Sequence, residues 1–135
     1  MLLVKTKIGP SKIHGIGLFA DEFIPKGKLM WRVEHDFDLE FEASQLVNLS
    51  APSRAQFLKY SYRHPKTGKY VLPFDDARFF NHADHPNINS VYPNGNNGEC
   101  DVGIAAQDIM AGEELTCNYR EFDADSVVKL EFEAG

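Results

Sequence analysis

The sequence has no long apolar run, few cysteines and a shortage of positive charge, and each of these absences excludes a class of protein. No stretch of about 18 apolar residues is present, so no membrane-spanning helix is predicted. The first segment becomes charged at Lys5, too early for a signal peptide. Cys100 and Cys117 form at most one disulfide and lack the clustering of a structural zinc site. We therefore expect a soluble intracellular protein that needs neither zinc nor a disulfide.

Acidic residues outnumber basic ones by 20 to 14, which gives a formal net charge of -6. This balance disfavours direct nucleic-acid binding, because such binding depends on Lys and Arg neutralising phosphates. A basic partner is favoured instead, and no membrane partner is expected. We interpret the two acidic runs as solvated faces. Their members are Glu34, Asp36, Asp38, Glu40 and Glu42, and in the tail Glu121, Asp123, Asp125, Glu131 and Glu133.

The pattern of apolar residues predicts one mainly β domain over residues 1–135 with a small helical insert. The hydrophobic content of 43% is sufficient for a single core. Extended runs flank a turn at residues 25–27, and an Asn-Gly-rich turn at 94–98 predicts a hairpin. Strands are predicted over residues 2–7, 69–74, 88–92, 100–105 and 114–118.

Two short helices are predicted between residues 41 and 60, where apolar residues fall near helical spacing. Ser50 is suited to cap the second helix, with Pro52 in its first turn. The tail over residues 126–132 is predicted to be helical or frayed.

The segment Gly15-Ile16-Gly17-Leu18-Phe19-Ala20, called the glycine loop below, formally matches a dinucleotide-binding fingerprint. The context rejects that interpretation, because Pro25 and Gly27 follow at once and leave no room for the required helix. Two glycines one residue apart still allow the backbone to approach a ligand closely. Taken alone, the segment favours a tight turn between strands as the explanation.

The segment Arg78-Phe79-Phe80-Asn81-His82 places two uncharged polar side chains at the end of an apolar run. Such a pair is suited to line a site, or to cap a short helix. The spacing His82-x-Asp84-His85 also permits a metal site. Against metal, no third His or Cys is close, and Pro86-Asn87 is typical of a turn that exposes Asp84 and His85. Tyr119 similarly ends an alternating strand, either packed or with its hydroxyl available for hydrogen bonding.

Taken in order, three segments strongly resemble the SET-domain protein lysine methyltransferases. They are residues 11–20, residues 78–82 with Pro86-Asn87, and residues 108–116 leading to Tyr119. The resemblance covers about residues 4–122, with a variable insert at about 35–68 and a tail at 123–135. It implies a minimal SET domain without pre-SET or post-SET zinc modules.

The resemblance implies the SET fold, in which small β-clip-like sheets surround a knot-like C-terminal core, or pseudoknot. In that fold the segment ending at Tyr119 passes beneath a loop and meets Asn81 and His82. The implied cofactor is S-adenosylmethionine, and Tyr119 would face the reacting methyl group. The implied cofactor-binding residues are Gly15, Ile16, Gly17 and Leu18 through their backbone, with Asn81 and His82.

The implied reaction moves a methyl group to the amine of a lysine that enters a narrow channel from the opposite side. A lysine near its reference pKa of about 10.4 is protonated, so the channel must favour the neutral amine. Tyr119 is better suited to orient that amine than to act as a base, because a phenol of pKa about 10 is mostly protonated at neutral pH.

Several positions depart from the family pattern. Ala83-Asp84 replaces the Ser-Cys found in many members, and Cys117 stands where many members carry Phe or Tyr. Cys117 would leave more room in the substrate channel, so we hypothesise that di- or trimethylation is allowed. Without a post-SET module, the channel must be closed by another element. Phe122 and Phe132 are candidates, and a partner subunit in a homodimer is the alternative.

The sequence therefore predicts a protein-lysine N-methyltransferase that acts on a basic protein or peptide, histone or non-histone. Its compartment would be the cytoplasm, or a nucleus (the host's, for a viral protein) if the substrate is a histone. One alternative is a non-catalytic SET-like module that binds peptide or cofactor. Another is a small metal hydrolase using His82, Asp84 and His85, which would contain bound metal.

Overall fold

A computed structural model describes residues 1–91 and 102–134, with the side chains of residues 132–134 outside the description. The described strands are short and belong to several small sheets, as the mainly β prediction required. They are β1 Thr6–Pro10, β2 Ile16–Ala20, β3 Leu29–Arg32, β4 Leu39–Phe41, β5 Tyr62–Arg63, β6 Tyr70–Leu72, β7 Asn81–His82, β8 Ile88–Val91, β9 Val102–Ala105 and β10 Thr116–Cys117.

The helices are few and short. They are α1 at Ala51–Tyr60, α2 at Ser126–Ala134, and 3-10 helices at Ala43–Asn48, Asp76–Phe79 and Tyr119–Glu121. The Ser50 hydroxyl accepts from the Ser53 amide at 3.3 Å and Pro52 lies in the first turn of α1, so the predicted cap is confirmed. Within the described ranges, no helix has the length and apolar content to span a bilayer.

The strands pair in four sheets within the described residues. The β1–β2 hairpin contains the glycine loop. The strands β4, β6 and β5 form a three-stranded sheet, and α1 lies between β4 and β5 in the sequence. In the sheet β3–β9–β8, the antiparallel pairing of β8 with β9 confirms the predicted hairpin. Its turn at 94–98, together with Cys100, lies outside the described residues.

The core joins residues from distant parts of the chain. Its largest fully buried side chains are Leu18, Ile24, Met30, Ile109 and Leu115. Leu18 and Leu115 are linked by the hydrogen bond from the Leu115 amide to the Leu18 carbonyl, at 2.7 Å. Burial of this apolar surface holds the glycine loop against the segment that leads to Tyr119.

A parallel pair of very short strands positions the polar site residues. In β7 and β10, Asn81 lies opposite Thr116 and His82 lies opposite Cys117. The hairpin β8–β9 supplies the chain needed to return in the same direction. This pair brings the Asn-His segment beside Tyr119, as the family resemblance implied.

Two predictions about the chain need correction. The strand expected at residues 2–7 begins at Thr6, and Leu2 instead forms an isolated bridge with Trp31. The solvated-face interpretation is wrong at Asp38 and Asp123, each 3% exposed. Each carboxylate accepts backbone N–H bonds that local acidic patterning does not reveal: Asp38 from Glu34 and Phe74, Asp123 from Arg63 and Asp125.

Candidate functional site

The glycine loop lies on the β1–β2 hairpin. Gly15 has a positive φ of 50°, a conformation that suits glycine, and a Cβ built on it would meet no atom within 4 Å. The loop is therefore a tight turn whose outer side is open. Both interpretations of its glycines, turn and close approach, are compatible with this geometry.

Asn81 ties the glycine loop to the parallel strand pair. Its Nδ2 donates to the carbonyls of His14 and Ile16 at 3.0 and 3.3 Å, and approaches Glu114 Oε2 at 3.0 Å. The side chain therefore reaches across the molecule and does not cap the preceding 3-10 helix, where the alternative interpretation placed it. Asn81 fixes the backbone of the segment predicted to contact the cofactor.

Glu114 completes this network. Its carboxylate accepts from the Ser11 hydroxyl, with 2.7 Å between Oγ and Oε1. Gly17 makes room for it, since a Cβ at that position would lie 2.7 Å from Oε2. Sequence reasoning assigned no role to Ser11 or Glu114, although both lie inside the motif segments. Ser11 and Glu114 are 103 residues apart in sequence, so no local pattern could have predicted their contact.

A cavity of about 480 Å³ opens beside the loop; we call it the glycine-loop cavity. Its walls include Gly15, Ile16, Phe80, Asn81 and Tyr119. Three of the predicted cofactor-binding residues thus share one cavity with the predicted catalytic tyrosine.

The other predicted cofactor-binding residues occupy different places. Leu18 is buried in the core, Gly17 faces Glu114, and His82 is absent from the walls of the glycine-loop cavity. Their contact with cofactor remains a prediction.

His82 holds Tyr119 through the backbone. Its Nδ1 accepts from the Tyr119 amide at 3.1 Å, which places the ring proton on Nε2, where it can be donated to Asp84 Oδ1 at 3.0 Å. Asp84 also accepts from Arg120 at 2.7 Å. The Arg120 and His82 hydrogen bonds lower the pKa of the Asp84 carboxyl. The ring thereby links Tyr119 to an exposed ion pair.

The metal alternative finds no support in this arrangement. Asp84 and His85 are exposed, as the turn at Pro86-Asn87 predicted. Across residues 1–91 and 102–134, no group of three His, Cys, Asp or Glu side chains is arranged to hold a metal ion. His82 instead directs its two ring nitrogens to Tyr119 and Asp84.

Tyr119 is buried, with 7% of its surface exposed, and its hydroxyl donates to the Phe80 carbonyl at 2.7 Å. A phenol oxygen can accept a hydrogen bond as well as donate one. Together with Phe80 and Tyr60, Tyr119 lines both the glycine-loop cavity and a second one. It therefore lies at the junction of two cavities.

The second cavity, of about 690 Å³, is called the aromatic cavity. Cys117 and Phe122, the two predicted channel residues, line it. Phe122 packs edge-on against Tyr62 and Tyr119, with ring centroids 5.4 and 6.0 Å apart. Burial raises the pKa of the Cys117 thiol, which keeps it neutral. The side chain of Phe132, the other predicted closing residue, lies outside the described residues.

Residues that sequence reasoning did not single out also line the aromatic cavity. Lys129 of α2 projects into it, and Trp31 and Ser61 form part of its wall. Trp31 Nε1 and Ser61 Oγ are buried and have no hydrogen-bond partner within the part of the chain that the structure describes. Unpaired buried polar atoms are costly, so these two are candidates to bind a ligand.

Comparisons with known proteins agree with the fold. The sequence matches the SET domain family over residues 15–120. The structure is similar to that of a candidate histone methyltransferase from Plasmodium falciparum, at 20% sequence identity and a TM-score of 0.60, covering 87% of this chain and 95% of the other. It is also similar to ctPRC2, solved in an autoinhibited conformation bound to S-adenosylmethionine, at 24% identity and a TM-score of 0.60. That match covers 96% of this chain and 17% of the other.

Proposed function

This chain belongs to the SET domain family, and from that premise we propose that it is an S-adenosylmethionine-dependent methyltransferase acting on the side-chain amine of lysine in a protein or peptide. The observation that carries the proposal is the position of Tyr119 at the junction of two cavities. Such a position suits methyl transfer, because cofactor and substrate could each approach Tyr119 through its own cavity and meet in a reactive geometry.

The glycine-loop cavity fits the cofactor. Gly15, Ile16 and the buried amide of Asn81 line it, a set suited to the polar groups of an amino acid and a nucleoside. S-adenosylmethionine would supply an electrophilic methyl group on a sulfonium. The network of Ser11, Asn81 and Glu114 fixes the loop before any ligand binds, which reduces the ordering cost of binding.

The aromatic cavity fits the lysine side chain. Its aromatic and aliphatic walls suit the methylene stem of the lysine. The ammonium must lose a proton to solvent before it attacks, because only the neutral amine has a lone pair. The amine nitrogen would form its bond to the methyl carbon as the bond from that carbon to sulfur breaks, leaving the electron pair on sulfur, and the methylated ammonium would lose a proton to solvent. The Tyr119 oxygen accepts an amine N–H and so orients the lone pair, since its own proton is donated to Phe80.

A basic peptide is the substrate class that the charge of the chain supports. The net charge of -6 attracts Lys- and Arg-rich segments at long range. At short range, Trp31 Nε1 and Ser61 Oγ would find acceptors in the carbonyls of a bound peptide. Cys117, smaller than an aromatic residue, leaves room for a methylated amine, so we extend the proposal to di- or trimethylation.

The test incubates the protein with methyl-labelled S-adenosylmethionine and a panel of lysine-containing proteins, comparing wild type with Tyr119→Phe. We expect labelled lysine with wild type and a loss of about 100-fold with the variant, the order of effect that misplacing a reacting group produces. Cofactor binding should be equal in both proteins. Cofactor binding without transfer to any protein would favour the non-catalytic module, and equal transfer would contradict the role of Tyr119.

A further inference from the structure

Lys129 of α2 lies where the substrate lysine of the proposed reaction would have to bind. Its side chain is 16% exposed and enters the aromatic cavity beside Cys117, Tyr119 and Phe122. Its Nζ lies 5.4 Å from the centre of the Tyr119 ring, within the range of a cation–π contact. One lysine ammonium of this chain therefore already occupies the cavity.

Two oxygen atoms receive this ammonium group. The Ser61 carbonyl accepts from Nζ at 2.6 Å, and Asp123 Oδ2 accepts at 2.9 Å. The Asp123 side chain is 1% exposed, and its Oδ1 accepts the amides of Arg63 and Asp125 at 3.1 and 3.0 Å. Oδ2 is thus left for a cation, and a buried carboxylate without one would be costly.

We propose that the Ser61 carbonyl, the Asp123 carboxylate and the Tyr119 ring form an ammonium-binding site that Lys129 fills from within the chain, and that a substrate lysine must displace Lys129 to reach Tyr119. The second half of this statement rests on the proposed function. The first half stands on geometry alone.

The helix α2 makes such displacement feasible. It follows Tyr119 closely in sequence and exposes Val127 and Val128, 63% and 69% of whose surface is accessible. The Lys129 ammonium holds α2 in place by polar contacts, through its hydrogen bonds to Ser61 and Asp123. Withdrawal of one side chain would open the cavity, and an incoming ammonium would satisfy the same acceptors.

The ammonium site is tested first without any reaction. Lys129→Ala removes three carbons and the nitrogen, the size of n-propylammonium. We expect the variant to unfold at a lower temperature than wild type, and n-propylammonium to restore much of the loss while 1-propanol does not. Lys28→Ala, at an exposed lysine outside both cavities, should show no ammonium-specific response.

The double variant Asp123→Asn/Lys129→Ala removes the carboxylate as well and should not respond to n-propylammonium. Equal responses of Lys129→Ala and Lys28→Ala to the ammonium, or the same response to propanol, would overturn the site. If Lys129→Ala fails to fold alone, recovery of folding only in the presence of the ammonium supports the site, and failure to recover overturns it.

Displacement is tested on the wild-type chain by acylation footprinting and on Lys129→Met by kinetics. With S-adenosylhomocysteine and a methylatable peptide bound, the reactivity of Lys129 should rise while that of Lys28 stays constant. Lys129→Met should lower the peptide KM by about fivefold with kcat unchanged, as expected when the competent fraction rises. Unchanged protection together with an unchanged KM would overturn displacement.

Failure of this inference differs from failure of the proposed function. If methyl transfer to lysine is observed but Lys129 has no effect, the proposed function is supported and the proposed role of Lys129 is wrong. If the ammonium binds but no protein is methylated, the ammonium-binding site is supported and the proposed function is wrong.

Discussion

Hydrogen bonds between segments far apart in sequence hold the wall of the glycine-loop cavity, whereas aromatic rings and one lysine line the aromatic cavity. Ser11, Asn81 and Glu114 lock the glycine-loop cavity through polar contacts. The aromatic cavity depends on Phe122 and Lys129. Under the proposed function, this difference means that the cofactor side would be preorganised, whereas the substrate side would be covered by a side chain that can be displaced.

The largest effect on this comparison is expected from Asn81→Asp, which places a second carboxylate beside Glu114. Two carboxylates at that separation repel each other, and the donations to His14 and Ile16 are lost. We expect S-adenosylmethionine to bind roughly 100-fold more weakly, because the loop is misplaced. Isothermal titration measures this directly.

Asn81→Ala is the matched control, since it loses the same donations without adding charge. It should bind cofactor more tightly than Asn81→Asp does and more weakly than wild type. Wild-type affinity in both variants would mean that the network does not position the cofactor side.

A second change tests the close approach of Gly17 to Glu114. Gly17→Ala should destabilise the fold by about 1–3 kcal/mol, because its Cβ would meet the carboxylate and the Ser11 side chain. Chemical denaturation gives the value. The double variant Gly17→Ala/Glu114→Ala relieves the main clash, so the two single costs should not add. Additive costs would show that this contact is not the source of the loss.

On the aromatic side, Cys117→Phe tests the product of the reaction. Wild type should add two or three methyl groups to one lysine, whereas the variant should stop at one, because the ring occupies the space of a methylated amine. Mass spectrometry of a verified substrate at long times separates the two. Monomethyl product from the wild type would contradict the role given to Cys117, and Cys117→Ala should retain the wild-type product.

The smallest effect concerns the exposed pair that His82 links to Tyr119. Because Arg120 and His82 lower the pKa of Asp84 in the folded chain, this pair stabilises the fold above the ordinary carboxyl pKa of about 3.9. The contribution is lost as pH falls through the lowered value. Thermal unfolding of wild type and Asp84→Asn should therefore differ slightly near about pH 6 and converge at acid pH.

Divergence of the two curves toward acid pH would contradict that sign. Arg32→Gln serves as a control, since it removes a comparable exposed pair, with Glu34, away from both cavities. It should leave methyl transfer unaffected.

The parts of the fold that follow local rules were predictable. Period-two apolar runs beside an Asn-Gly turn predicted β8 and β9, and a serine two residues before a proline marked the start of α1. The three motifs, in order, predicted the SET fold. Without the resemblance, each motif residue had two interpretations. A glycine allows a turn or a close approach to a ligand, an amide caps a helix or lines a site, and a tyrosine packs in the core or binds through its hydroxyl.

The rest could not be predicted because it depends on long-range contacts. Asp123 belongs to an acidic tail that is typical of a solvated face. Its carboxylate nevertheless accepts hydrogen bonds from the backbone amides of Arg63 and Asp125 and forms an ion pair with Lys129. Glu114 lies in a motif, but its partner Ser11 is at the other end of the chain. Tertiary packing determined both.

The central claim is that cofactor and lysine meet at Tyr119 from opposite cavities, and a crystal structure with S-adenosylhomocysteine and a lysine peptide tests it most directly. We expect the adenosyl group against Gly15 and Asn81, the peptide lysine in the aromatic cavity within hydrogen-bonding distance of the Tyr119 oxygen, and Lys129 displaced. Both ligands in one cavity, or a peptide lysine remote from Tyr119, would contradict the account.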